Sequence, residues 1–170
     1  MWTHRGQNRP PMADRTTAGQ ESVWDYLRPP APLPDHRQIV VRAGERTIAN
    51  TSAAIRVLET ASPPTFYLPP EDVDLTLLVP APGSSVCEWK GKARYWSLAS
   101  SPEHETVAWS YSEPTAAFES IRDYIGFYPG RVECFVDGER VRPQPGQFYG
   151  GWITNEVVGP FKGEPGTGHW

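Results

Sequence analysis

Cys134-Phe135-Val136-Asp137-Gly138-Glu139-Arg140-Val141 is the stretch that decides how this chain folds. Asp-Gly between short apolar segments signals a two-residue β-hairpin, because that turn needs positive φ at both central positions and Asp and Gly reach it at least cost. Upstream, Ile39-Val40-Val41 and Thr47-Ile48-Ala49 flank Ala43-Gly44-Glu45-Arg46 and read as a second hairpin. Between the two, residues 54–60 alternate and place Ile55, Val57 and Glu59 on one face; residues 89–96 and 105–111 alternate as well. Fifteen Gly and nineteen Pro are spread along the chain, which leaves little room for long helices. A mainly β fold is expected: a single domain of short antiparallel strands with one or two short helices. The main helix candidate is 114–125, where Ser112 is placed to cap, Pro114 suits the first turn, and Ala117, Phe118, Ile121 and Ile125 form an apolar stripe ended by Pro129-Gly130. A brief helical turn is expected at Pro70-Glu71-Asp72-Val73.

The chain has 170 residues, which supports one core. Residues 1–20 are polar and unpatterned and are expected as a disordered tail. Residues 21–36 form a Pro-rich N-terminal arm, with Pro29, Pro30, Pro32 and Pro34 favouring an extended strap. Residues 37–163 are the domain, and 164–170 a loose C-terminus. The formal net charge is −4 with no block of like charge, which argues against a general nucleic-acid or acidic-membrane binder. Cys87 and Cys134 are the two cysteines, with no C-x-x-C, so neither a disulfide framework nor a zinc knuckle is encoded and a reducing compartment is expected. With no signal-like segment and no apolar run of membrane-spanning length, a soluble cytoplasmic protein is the expectation.

Chemistry is sparse and local. Glu59 breaks the apolar face it shares with Ile55 and Val57, so its carboxylate sits either at a strand rim or inside with a partner. In Cys87-Glu88-Trp89-Lys90-Gly91-Lys92-Ala93-Arg94-Tyr95-Trp96, a straight strand puts Trp89, Ala93 and Tyr95 on one face and Lys90, Lys92, Arg94 and Trp96 on the other. The bland reading is a solvated cationic face over an aromatic core. A bulge at Gly91 instead turns Lys90 toward Glu59. Val107, Trp109 and Tyr111 share a face. Seven Trp and seven Tyr are more ring than so small an interior hides, and a ring-lined cleft with polar tips has the character of a small-ligand site. As a nucleophile Cys87 needs a base, for which only His36 and His104 are available. There is no G-x-S-x-G, no P-loop and no dinucleotide loop. The four His are dispersed, and neither metal nor cofactor is expected.

Several segments in fixed order carry a resemblance: Val23-Trp24-Asp25-Tyr26, Val57-Leu58-Glu59, Tyr67-Leu68-Pro69-Pro70-Glu71-Asp72-Val73, the Cys87 to Trp96 run, Ala108-Trp109-Ser110-Tyr111, Val136 to Val141, and Phe148-Tyr149-Gly150-Gly151-Trp152. Together they resemble the bacterial domain-of-unknown-function family numbered 427, in its actinobacterial form, over about residues 23–163. The resemblance implies a β-tent type domain, the architecture of methionine sulfoxide reductase B and of the cereblon ligand-binding domain. The paired C-x-x-C motifs that hold zinc in many such domains are absent here, so neither the zinc nor sulfoxide reduction carries over. A nucleotidyltransferase-like name sometimes given to the family is not supported either, because Asp72-Val73-Asp74 precedes Gly83-Ser84, the reverse of the order that chemistry needs.

The functional expectation is a ligand-binding module with an aromatic cleft formed by Tyr67, Trp89, Tyr95, Trp109 and Tyr111, with Glu59 and Lys90 as polar anchors for a small cyclic or amide-bearing metabolite. The alternatives are a small-molecule enzyme using Cys87 or a Glu59/Lys90 acid–base pair, and a protein-interaction module using the Pro-rich strap and the Phe148 to Trp152 surface. Oligomeric state, and whether the arm packs in cis or in trans, are left open by the sequence.

Overall fold

The computed structural model describes residues 2–103 and 105–170. Two antiparallel sheets make up its body. The larger has seven strands in the order Ala31–Asp35, Ala54–Leu58, Thr65–Leu68, Ile125–Phe127, Thr106–Ser110, Gly91–Leu98, Leu78–Cys87. The smaller has four, in the order Glu139–Arg140, Glu133–Val136, Ile39–Ala43, Arg46–Thr51. The mainly β expectation is met, and no closed barrel forms among the described residues. Both hairpins read from the sequence are present, with Phe135 opposite Arg140 and Ile39 opposite Thr51. At the decisive turn Asp137 has φ 47° and Gly138 φ 82°, the left-handed pair this turn requires.

The larger sheet buries both of its faces. On the strand Thr65–Leu68, Phe66 and Leu68 enter the core shared with the smaller sheet, while Tyr67 points to the opposite side. Trp109 and Tyr111 belong with Tyr67, and Val107 with the inter-sheet core. Period-two alternation therefore sends Phe66 and Leu68 to the inter-sheet core and gathers Tyr67, Trp109 and Tyr111 on the other face. Val107, grouped with Trp109 and Tyr111 from sequence, parts from them because the register of its strand shifts: Trp96 pairs with Ala108 but Ser97 with Thr106.

Two expectations are corrected. No α-helix forms at 114–125. Ala116–Ile121 is a pair of 3-10 turns merged across a kink at Phe118, and Ile125 already belongs to a strand. The stripe still does its packing, with Phe118 and Ile121 buried, but Pro114 and an early strand leave too short a run for i→i+4 bonds to propagate. The cap residue is Thr115 rather than Ser112, and its hydroxyl donates to Trp89 O at 2.6 Å instead of capping. The run 89–96 is also not one strand: residues 88–90 are the turn of a hairpin joining Leu78–Cys87 to Gly91–Leu98, and Gly91 takes φ 110° at its exit.

Near both ends of the described chain a few residues meet one another or the body. Thr3 N–H donates to His169 O at 3.0 Å, Asp14 N–H to Gly159 O at 2.8 Å, and the Trp170 ring meets Trp24 edge-on at 5.3 Å. The arm packs in cis, since Ala31–Asp35 pairs with Ala54–Leu58 of the same chain. No helix among the described residues is long and apolar enough to cross a membrane.

An ion-pair network pins the arm at the sheet edge. Arg37 Nη2 reaches Asp35 Oδ2 at 2.6 Å, Arg56 Nε the same oxygen at 3.2 Å, and Arg37 Nη1 Glu156 Oε1 at 2.6 Å. Burial pushes the Asp35 carboxyl up, but hydrogen bonds from the Arg37 side chain and backbone outweigh it and hold the carboxyl below its ordinary value. A depressed folded pKa gives stability that is present above the unfolded value, near 3.8, and lost as pH falls through the folded one. Asp35→Asn is therefore expected to lower stability at pH 7 by about 1–3 kcal/mol and to flatten the acid limb of urea midpoints measured from pH 5 to pH 2. An acid limb as steep as wild type would show that Asp35 is not responsible.

Candidate functional site

A cavity of about 350 Å³ opens on the ring-bearing face of the larger sheet. Glu59, Tyr67, Cys87, Trp89, Lys90, Tyr95, Trp109 and Tyr111, the full set singled out from sequence, all line it. Register explains the convergence. Ile55, Tyr67, Gly126, Trp109 and Tyr95 are successive cross-strand partners and form one row across five strands. Opposite residues on neighbouring strands lie on the same face, so this row brings the rings of Tyr67, Trp109 and Tyr95 to one side of the sheet.

Gly126 sits in that row because Trp109 lies over it. A Cβ built at Gly126 would meet Trp109 Cε2 at 2.7 Å, and one at Gly150 would collide with Trp109 Cη2. The indole is thus clamped between two backbone segments that carry no side chain. Its Nε1 donates to Tyr67 Oη at 3.2 Å, Tyr67 meets the Trp109 ring edge-on at 5.9 Å, and Tyr128 packs on Trp109 at 4.7 Å. Tyr67 and Tyr111 also pack at 6.2 Å between ring centroids, and burial, reinforced by Tyr67, pushes the Tyr111 phenol far above its ordinary value. Burial pushes Tyr128 up to about 12. The cavity phenols Tyr111 and Tyr128 are therefore neutral hydrogen-bonding groups at pH 7.

Lys90 enters through the 88–90 turn. The expectation that the backbone at Gly91 redirects this lysine holds in effect, although the device is the turn itself rather than a bulge within a strand. Thr115 fixes the turn, its N–H donating to Lys90 O at 3.1 Å and its hydroxyl to Trp89 O. Burial lowers the Lys90 pKa, but the neighbouring Tyr67, Cys87 and Glu59 outweigh it, so the group is held above its ordinary value and remains an ammonium. Lys92 and Arg94, expected to be solvated, are exposed.

Glu59 follows its strand and stands at the rim with a cation partner, but that partner is Arg28 rather than Lys90. Arg28 Nε donates to Glu59 Oε2 at 3.1 Å, Nη2 to Thr60 O at 3.0 Å and Nη1 to His4 O at 2.8 Å. No local signal in the sequence marks Arg28, which lies in the Pro-rich arm and is buried by chain crossings far apart in sequence. Part of the remaining lining comes from places without periodicity: Trp2 near one end of the chain, and Gln144, Phe148, Tyr149 and Lys162 near the other. Phe148 and Val86, both well exposed, mark the mouth.

Cys87 is half-buried in the cavity, close enough to Lys90 to help hold it as an ammonium. His36 is not part of the lining, and His104 lies outside the described residues. Cys134 is sealed in the inter-sheet core, where burial pushes its thiol well up. Among the described residues no three His, Cys, Asp or Glu side chains come together in a metal-binding group.

The structure is that of a mainly β module carrying a ring-lined cavity on one sheet face. Residues 31–138 match the family model for Domain of unknown function (DUF427), and the chain belongs to that family. No curated protein matches it.

Proposed function

We propose that this chain is a binding module for a small cyclic or amide-bearing metabolite, held by stacking against the Trp109 and Tyr111 wall and by polar contacts to Lys90 and Glu59. The observation that carries the reading is the convergence, through strand register, of rings from separate strands on one cavity of about 350 Å³, a size within the range of small-molecule sites. Neutral phenols and an ammonium supply donors, and the carboxylate of Glu59 an acceptor. A ligand screen by thermal shift tests this. Compounds that stabilise wild type, by ~2.7 kcal/mol at a hundredfold excess over Kd, are expected to lose most of that effect on Trp109→Ala and to keep part of it on Trp109→Phe. Equal stabilisation of wild type and Trp109→Ala would remove the cavity as their site.

A second reading, a thiol-dependent enzyme, is favoured only by the Lys90 contact to Cys87, an arrangement that can steady a thiolate. Alkylation of Cys87 followed from pH 6 to pH 10 separates the two. A rate already high at pH 6 supports a nucleophile, whereas one that climbs as for a free thiol leaves Cys87 as lining.

A further inference from the structure

Two lysines, Lys90 and Lys162, line the cavity, and neither forms an ion pair with the acids beside it. Lys162 is only 2 % exposed. Its place is fixed on both sides, the backbone N–H donating to Ala61 O at 2.8 Å and the carbonyl accepting from Gln144 Nε2 at 2.7 Å. Its ammonium lies 3.9 Å from the centroid of Trp2 and 5.7 Å from that of Tyr149. Burial, together with the nearby Arg28 charge, pulls its pKa below that of an ordinary lysine. Burying an ammonium costs several kcal/mol, and ring faces return only about 0.5–2 kcal/mol of it.

Neither Lys162 nor Lys90 takes part in any of the ion pairs formed among the described residues. The acids that line the cavity are otherwise engaged. Glu59 is taken by Arg28, and Glu88 stands exposed on the turn, where it accepts from Trp2 Nε1 at 2.9 Å. Trp89, also in the lining, has a buried indole N–H with no acceptor. Lys162, buried with no acid in contact, and the orphan Trp89 donor line one cavity beside Lys90, whose ammonium Tyr67, Cys87 and Glu59 already favour, and buried polar groups left without a counterpart mark where a partner is missing.

We propose that the ligand is a small cyclic organic anion, bearing a carboxylate or a phosphate, whose charge is met by Lys162 and Lys90 while its ring lies on the aromatic wall. This deepens the binding-module reading and rests on it. Trp2, packed over both Lys162 and Arg28, then roofs the charged end of the site. The geometry asks for one compact acidic group rather than a polyanion, since the cationic surface is two side chains wide and the surrounding lining is largely ring.

Ligand-observed NMR titration with four probes of similar size tests this: benzoate, phenyl phosphate, benzamide and benzylamine. At least one of the two anions is expected to bind about tenfold or more tighter than benzamide, with benzylamine weakest. Whichever anion is tighter assigns the oxyacid. Lys162→Met is expected to bring the anions down to the level of benzamide while leaving benzamide unchanged, and Lys90→Met to do so in part. Wild type alone offers a second measurement, because raising salt from 50 to 500 mM should weaken the anions and spare benzamide. Benzamide binding as tightly as both anions, or an anion preference that survives both substitutions and high salt, overturns the proposal and leaves the binding module standing. Binding by none of the four overturns both.

Discussion

Arg28→Ala is expected to destabilise the protein by about 3–5 kcal/mol, the cost of removing one partner of a buried charge cluster. The Arg28 side chain is fully buried and makes three charge-assisted hydrogen bonds, to Glu59, Thr60 O and His4 O. Its loss leaves two carbonyls and a partly buried carboxylate without a donor, and the remaining exposure of Glu59 places the result toward the lower end of that range. Urea denaturation at pH 7 measures it as a fall in midpoint. Because the same guanidinium holds His4 and supports the Trp2 ring at 4.3 Å, the segment 2–9 should become sensitive to limited proteolysis in this variant under conditions where the wild type resists. Arg28→Lys is expected to recover little, since a single ammonium cannot span three acceptors set apart in a plane. A loss below about 1 kcal/mol, in the range of exposed pairs, would mean the cluster is not a structural anchor.

The second large effect is at Gly126. One added methyl there meets the Trp109 indole at 2.7 Å, and the ring has no room to recede because Gly150 backs its far edge. Overpacking of this kind costs about 1–3 kcal/mol, and here Gly126→Ala should also shift Trp109 from Tyr67 and Tyr128. Near-ultraviolet circular dichroism should lose intensity in the tryptophan region, and any compound found to stabilise wild type should lose affinity. Gly150→Ala is expected to act in the same direction from the opposite side. An unchanged aromatic spectrum with both substitutions would show that the clamp is looser than the geometry indicates.

How far the sequence alone reaches depends on whether a feature is local. The Asp137-Gly138 turn and the Ile39 to Asn50 hairpin are legible because turn chemistry lies in adjacent residues. Alternation likewise placed Glu59 with Ile55 and Val57, and Trp109 with Tyr111, on the faces that line the cavity. The helix at 114–125 misled, because an apolar i, i+3, i+4 stripe serves a kinked pair of 3-10 turns nearly as well as an α-turn, and only the strand beginning at Ile125 decides between them. The strand through Trp89 misled for a related reason: Gly91 signals a break in regular geometry without saying which kind. Arg28 and Lys162 were invisible, since each is buried by segments far away along the chain and neither stands in a periodic stretch.

The cavity is built from two sources that differ in mechanical character. Its back is a ladder of paired strands inside residues 31–138, where changing a side chain disturbs register and the shared core on the reverse face. Its front, with Trp2, Phe148, Tyr149 and Lys162, is drawn from irregular chain outside that span, anchored at a few points such as Gln144 and Ala61. Substitutions in the front can remodel the shape and charge of the opening while the scaffold behind it stays intact. Such a division lets one framework be refitted to different molecules by editing a handful of loop positions, much as a fixed frame accepts a different pane.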